Sequence, residues 1–91
     1  MTRAAVLRII RACAAGEMPI TFVRHARRRR AERRIDHGPI MSVLRMGQIV
    51  EGPYMDQHGC WRCTLRRFLA GEELTVVIAI CDDELVVITA Y

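Results

Sequence analysis

The chain has 91 residues, 52% of them hydrophobic and 26% charged, which is enough for one modest core and too little for two. That apolar content excludes a disordered polyelectrolyte, no apolar run is long enough to span a membrane, and four cysteines are too sparse for a secreted disulfide scaffold. The net charge of +4 hides an asymmetry: residues 1–46 hold eleven Arg against three acids, and residues 47–91 hold three Arg against seven.

In chain order, Thr2 is placed to cap a first helix whose apolar positions Val6, Leu7, Ile9, Ile10, Cys13 and Ala14 recur at helical spacing. Gly16 stops it and Pro19 prevents its resumption. Arg8 and Arg11 interrupt the apolar run a signal peptide needs, leaving an Arg-rich transit peptide as the lesser alternative. Ile20 to Val23 reads as a short β-prone stretch or an extended entry into a second helix, Arg-rich, over residues 25–35. Asp36, Gly38 and Pro39 mark a boundary, after which Ile40, Val43, Leu44 and Met46 space like one face of a short third helix closed by Gly47.

The period then changes from helical to alternating. Gln48 to Tyr54, Cys60 to Leu69, Leu74 to Cys81 and Leu85 to Tyr91 read as strands, separated by turn signals at 56–59, 70–73 and 82–84. The last two are β-branched and apolar on both faces, which predicts the middle of a sheet. Helices followed by a meander predict an α+β fold, one domain over residues 1–91, with helices on one face of a four-stranded antiparallel sheet.

The chemistry-bearing stretch is His25 to Ile35. His25, Arg29 and Arg33 fall at i, i+4 and i+8 on one stripe of the second helix. Like charges at that spacing repel, so the stripe calls for solvent or an anion such as a nucleic-acid phosphate. All fourteen basic side chains are Arg, and the guanidinium fork binds phosphate in a bidentate way. Arg27, Arg28, Arg30 and Arg34, with Arg62 and Arg66 on one face of a strand, would extend the patch. Neighbouring cations and a helix N-terminus favour a neutral His25 imidazole, which makes it a candidate general base for attack by an RNA 2′-OH. A solvated or partner-binding helix face is the plainer reading of the same residues.

The run H-A-R-R-R-R-A-E-R-R-I, then V-L-R-M-G-Q-I-V-E, G-E-E-L-T-V-V-I-A-I and a final L-V-V-I-T-A-Y resembles the bacterial family known as domain of unknown function 4258. The resemblance covers residues 20–91 and leaves the first helix, 1–16, outside. Its most specific positions are His25, Ala26, Arg29, Arg33, Ile88, Thr89 and Tyr91. That family looks like a relative of RelE-type toxins, and some members are encoded beside zinc-finger antitoxins. The resemblance therefore implies a RelE-like fold and a metal-independent ribonuclease toxin, or an inactive relative. It also implies a site that joins His25, Arg29 and Arg33 to Thr89, as a hydrogen-bond donor to phosphate, and Tyr91, as a proton donor to the leaving oxygen. The alternative for Tyr91 is a frayed strand end.

Cys60-Trp61-Arg62-Cys63 after His58 has the spacing of half a metal site or a redox pair, but i and i+3 on a strand point to opposite faces, which favours structural cysteines. Three of the four cysteines sit in apolar surroundings, where a free thiol acts as a small hydrophobe, and a reducing cytosol is the expected compartment. Trp61 reads as packing between helix and sheet, and Met18, Met41, Met46 and Met55 as gap-fillers or a partner surface. No cofactor is expected. The expected partners are RNA and an antitoxin protein, with no membrane, and a homodimer stays open. The rival functions are a non-catalytic nucleic-acid-binding module and a protein-interaction module that uses the Arg-rich helix.

Overall fold

Thr2 opens the first helix in the computed structural model, which describes residues 1–22, 37–82 and 84–91. Its hydroxyl accepts from the Ala5 N–H at 3.1 Å, at the start of α1 (Arg3–Ala14). The helix ends in a Schellman motif: Gly16 at φ +91° donates to the Cys13 carbonyl and Glu17 to that of Ala12. Val6, Ile10, Cys13 and Ala14 form its buried stripe.

The second element is β1 (Ile20–Phe22), followed by α2 (His37–Met46), β2 (Gln48–Met55), β3 (Trp61–Leu69), β4 (Glu72–Cys81) and β5 (Glu84–Ala90). The Arg-rich helix expected at 25–35 lies outside the described residues. α2 starts earlier than the boundary read from Gly38 and Pro39, since a proline within the first turn removes only an N–H that has no intrahelical acceptor. Ile40, Val43 and Leu44 are fully buried, while Met46 is exposed. Six residues from Ile40 is about two-thirds of a turn off its stripe, so Met46 does not belong to the face it was assigned to.

The sheet corrects the expected topology. It has five strands in the order β1-β5-β4-β3-β2, and it is mixed: β1 runs parallel to β5, with Ile20 opposite Leu85 and Phe22 opposite Val87. The other pairings are antiparallel. The β-prone stretch at Ile20 is therefore a fifth strand, held also by the Leu85 N–H to the Pro19 carbonyl and by the Thr21 hydroxyl to Glu84 Oε2. β4 and β5 occupy the interior of the sheet, as their two-sided apolar sequences predict.

Both described helices pack on one face. Val6, Ile10, Ile40 and Leu44 meet Cys63, Leu65, Val76, Ile78, Leu85 and Val87 in one cluster, and Trp61 packs at its margin. The two-residue turn between β3 and β4, Ala70-Gly71, has both φ values positive, at 53° and 82°. That mirror-image geometry follows the strand twist and lets β4 begin at Glu72, two residues before the expected Leu74.

Two arginines of α1 tie the layers together. Arg11 donates Nη1 to the Leu44 carbonyl at 2.7 Å and Nη2 to the Gly47 carbonyl at 3.0 Å, so a cation sits on the negative end of α2 and satisfies carbonyls the helix cannot. Arg3 donates Nε to the Gly52 carbonyl at 2.9 Å and Nη1 to that of Ile49 at 3.4 Å, along β2 at the sheet edge. Gly52 itself has φ +88°, and a Cβ there would stand 2.6 Å from the Arg62 carbonyl, so the irregular β2–β3 register depends on glycine.

Candidate nucleic-acid interface

Alternation along β3 sends Cys63 and Leu65 to the helices and Arg62, Thr64 and Arg66 to the opposite face. Cross-strand pairing carries that face over the sheet in rows. Tyr54 opposes Arg62, which opposes Ala79 and then Val86. Glu51 opposes Thr64, then Val77, then Thr89. Gln48 opposes Arg66 and then Thr75. Tyr91 extends the last row, because its N–H and C=O exchange hydrogen bonds with Thr75 at 2.8 and 2.7 Å.

Thr89, Tyr91, Arg62 and Arg66 therefore share the face away from α1 and α2. Tyr91 and Arg66 are separated by β4, roughly 10 Å at two strand spacings. The backbone of Tyr91 is held to β4 through its two hydrogen bonds with Thr75, and its ring is exposed. The irregularity between Val77 and Ile78 sets this arrangement: the extra residue Ile88 turns Thr89 and Tyr91 onto the face of Arg62 and Arg66.

The two arginines are held in different ways. Arg62 Nη2 pairs with Asp56 Oδ2 at 3.5 Å. Asp56 Oδ1 in turn accepts from the backbone N–H of His58 and of Cys60, at 2.9 and 3.0 Å. Those hydrogen bonds, that of Cys60 first, hold its carboxyl below the usual aspartate range, with the Arg62 charge adding to the effect. Arg66 Nε contacts Glu73 Oε1 at 2.8 Å and Thr75 Oγ1 at 3.4 Å, and its two η nitrogens make no hydrogen bond among the described residues. They form an open fork on a half-exposed side chain.

His25, Arg29 and Arg33, along with Arg27, Arg28, Arg30 and Arg34, lie outside the described residues. Of the anticipated site, the structure brings together Thr89, Tyr91, Arg62 and Arg66. Thr64, Thr75 and Tyr54 on the same face were missed. The i, i+2, i+4 spacing of Arg62, Thr64 and Arg66 was a usable signal for Thr64, whereas Thr75 and Tyr54 needed the register.

The Cys-x-x-Cys spacing is not a functional unit. Cys60 forms a disulfide with Cys81, its cross-strand neighbour at a Cα separation of 4.6 Å, where the sequence suggested free thiols. The two cysteines stand 21 residues apart, and no local signal announces that they will face each other. Cys63 is buried on the helix side, and burial raises its thiol pKa, as it does for Cys13. Among the described residues no cluster of His, Cys, Asp or Glu has the makings of a metal site, and no helix is long and apolar enough to cross a membrane.

Residues 22–91 match the family described as Domain of unknown function (DUF4258). The chain belongs to that family. The match begins within β1 and leaves α1 outside, although α1 supplies core residues and the Arg11 and Arg3 braces. Neither the curated proteins nor the solved structures contain a match to the chain.

Proposed function

We propose that this member of the DUF4258 family is a metal-independent RNA-cleaving toxin, or an inactive relative of one, acting on the sheet face away from α1 and α2. A RelE-like fold and a paired antitoxin belong to the same proposal. The observation that carries it is the row in which the open Arg66 fork stands with Thr75 and Tyr91, one row from Thr89. These are a phosphate clamp, steadied by the buried Thr75, with the Thr89 hydroxyl and a phenol on the same face.

In this reading His25 removes the proton from a ribose 2′-OH, whose oxygen attacks the adjacent phosphorus. Arg29 and Arg33 stabilise the charge that develops on the phosphoryl oxygens, and Thr89 donates to one of them. The phenol of Tyr91 protonates the departing 5′-oxygen, leaving a 2′,3′-cyclic phosphate. Arg27, Arg28, Arg30 and Arg34, with Arg62 and Arg66, hold the flanking backbone.

The test is induction in a bacterial host, following growth and RNA integrity, with wild type beside folded His25→Ala, Arg29→Ala and Thr89→Val variants. Arrest with RNA cleavage, abolished by the first two and reduced by the third, is expected. Absence of arrest and of cleavage overturns the catalytic reading. A non-catalytic nucleic-acid-binding module is the second reading, in which the same arginines only neutralise phosphates, and the open η nitrogens of Arg66 support it equally. It is met if RNA binds in a salt-dependent way without being cut.

A further inference from the structure

Where the C-terminus of α2 turns into β2, Met46, Gln48, Val50, Arg66, Arg67 and Phe68 line a groove of about 440 Å³. Its apolar members are unusually open for a small domain: Phe68 is 68% exposed, Met46 60% and Val50 39%. Each position has a structural cause. Met46 falls off the buried stripe of α2, Val50 is the extra residue of a bulge between Ile49 and Glu51, and Phe68 stands next to the Ala70-Gly71 turn. Three such side chains gathered around one depression form a patch of the kind that marks an interaction site.

Arg67 gives the groove its sign. Its Nη1 is shielded from solvent and has no hydrogen-bond partner among the described residues. A shielded donor without an acceptor is costly, and a carboxylate that meets the fork replaces that cost with a charge-assisted pair. Glu73 on the neighbouring strand is already engaged with Arg66. Among the described residues no acid is paired to Arg67, which leaves the position open to a carboxylate from a partner.

We infer that this groove docks a protein partner through a short segment that presents apolar anchors flanked by carboxylates. Methionine, aromatic and arginine side chains are the types enriched where partners bind, with apolar anchors at the centre and an ion pair that fixes orientation. The Met46 thioether adapts to irregular apolar shapes. Nucleic acid fits the lining less well, since the exposed Met46, Val50 and Phe68 side chains offer a phosphate backbone no contact. The groove shares Arg66 with the proposed RNA face but uses neither Thr89 nor Tyr91, and it does not depend on RNA cleavage.

The probe is a synthetic amphipathic peptide with leucines at helical spacing and glutamates between them. It is compared with the same peptide carrying lysines for glutamates, the same peptide carrying alanines for leucines, and a single-stranded RNA decamer. Each is titrated into the full chain by fluorescence anisotropy, with the site mapped by amide chemical shifts. The Leu/Glu peptide is expected to bind and to shift residues 46–50 and 66–68, with the Leu/Lys and Ala/Glu peptides at least tenfold weaker. Phe68→Ser and Arg67→Gln should each weaken binding about tenfold, with unchanged shifts elsewhere reporting an intact fold. Met46→Ser, at an equally exposed helix end, serves as a second apolar variant.

Shifts confined to another surface, equal binding by the Leu/Lys peptide, or tighter binding of the RNA at these residues would overturn the inference. So would self-association of the chain that moves the same resonances as its concentration rises. Failure of the catalytic proposal leaves each of these outcomes readable, because none involves RNA cleavage.

Discussion

Arg11 and Arg66 carry the same charge in the same fold and do different things with it. The guanidinium of Arg11 is consumed by two carbonyls at the end of α2, and burial lowers its pKa. That of Arg66 rests one nitrogen on Glu73 and Thr75 and leaves its η nitrogens open. The lesson is that the positive surplus of residues 1–46 is not all available to a partner: part of it, at Arg3 and Arg11, is internal bracing. The remaining arginines must be judged by what their nitrogens already touch.

The sharpest way to break that division is Arg11→Ala. It removes two charge-assisted hydrogen bonds and the cation at a helix C-terminus, and should lower stability by about 2 kcal/mol in urea denaturation. The affinity of the chain for polyanions should lose no more than a distant charge would explain. Arg8→Ala, on the exposed side of the same helix, provides the control, with a change within about 0.5 kcal/mol. If the two substitutions cost the same, the bracing role of Arg11 is wrong. Arg3→Ala should come next at about 1 kcal/mol, since its bonds lie at an exposed strand edge, one of them long at 3.4 Å. Faster amide exchange confined to β2 would be its signature.

Arg66→Ala should invert the pattern. Half-exposed ion pairs are worth little, so stability should change by less than about 0.5 kcal/mol. The slope of log affinity against log salt for single-stranded RNA should fall by about 0.7, which corresponds to one lost phosphate contact. A large loss of stability with an unaltered slope would move Arg66 to the bracing group and remove the support for the proposed RNA face.

Much of this fold could be read from residue pattern, and the failures have physical causes. Caps, helical stripes and alternation are local, so α1, α2 and the four strands from β2 to β5 came out at nearly their observed positions. β1 is three residues long and pairs with a strand more than sixty residues away, so nothing within its own window distinguishes strand from extended loop. The bracing by Arg3 and Arg11 was not legible, because their acceptors are backbone carbonyls, which carry no residue identity. The Cys60–Cys81 bridge depended on the β3–β4 register, itself set by a two-residue turn that had been read as longer. In the candidate site, the shared face of Arg62 and Arg66 was visible from spacing alone. Its union with Thr89 and Tyr91 came from the family resemblance and depends on the bulge at Ile88.

The smallest expected effect concerns the pair that lies between the two kinds of arginine, Arg62 with Asp56. The folded state lowers the pKa of Asp56, first through the Cys60 N–H and then through the His58 N–H and Arg62. A group whose pKa is depressed on folding contributes stability that is present above its unfolded value, about 3.9, and is lost as pH falls through its folded value. The chain should therefore lose stability on acidification below about pH 4, while between pH 5 and 8 the contribution of this residue is fully present and independent of pH. Asp56→Asn keeps an acceptor for both backbone N–H groups and removes the charge, so it should flatten that acid limb while leaving the turn intact. Arg62→Gln should flatten it only slightly, because the hydrogen bonds outrank the ion pair. If Arg62→Gln flattens it as much as Asp56→Asn, the ion pair dominates, and Arg62 belongs with Arg11 and Arg3 as a brace instead of with Arg66 on the open face.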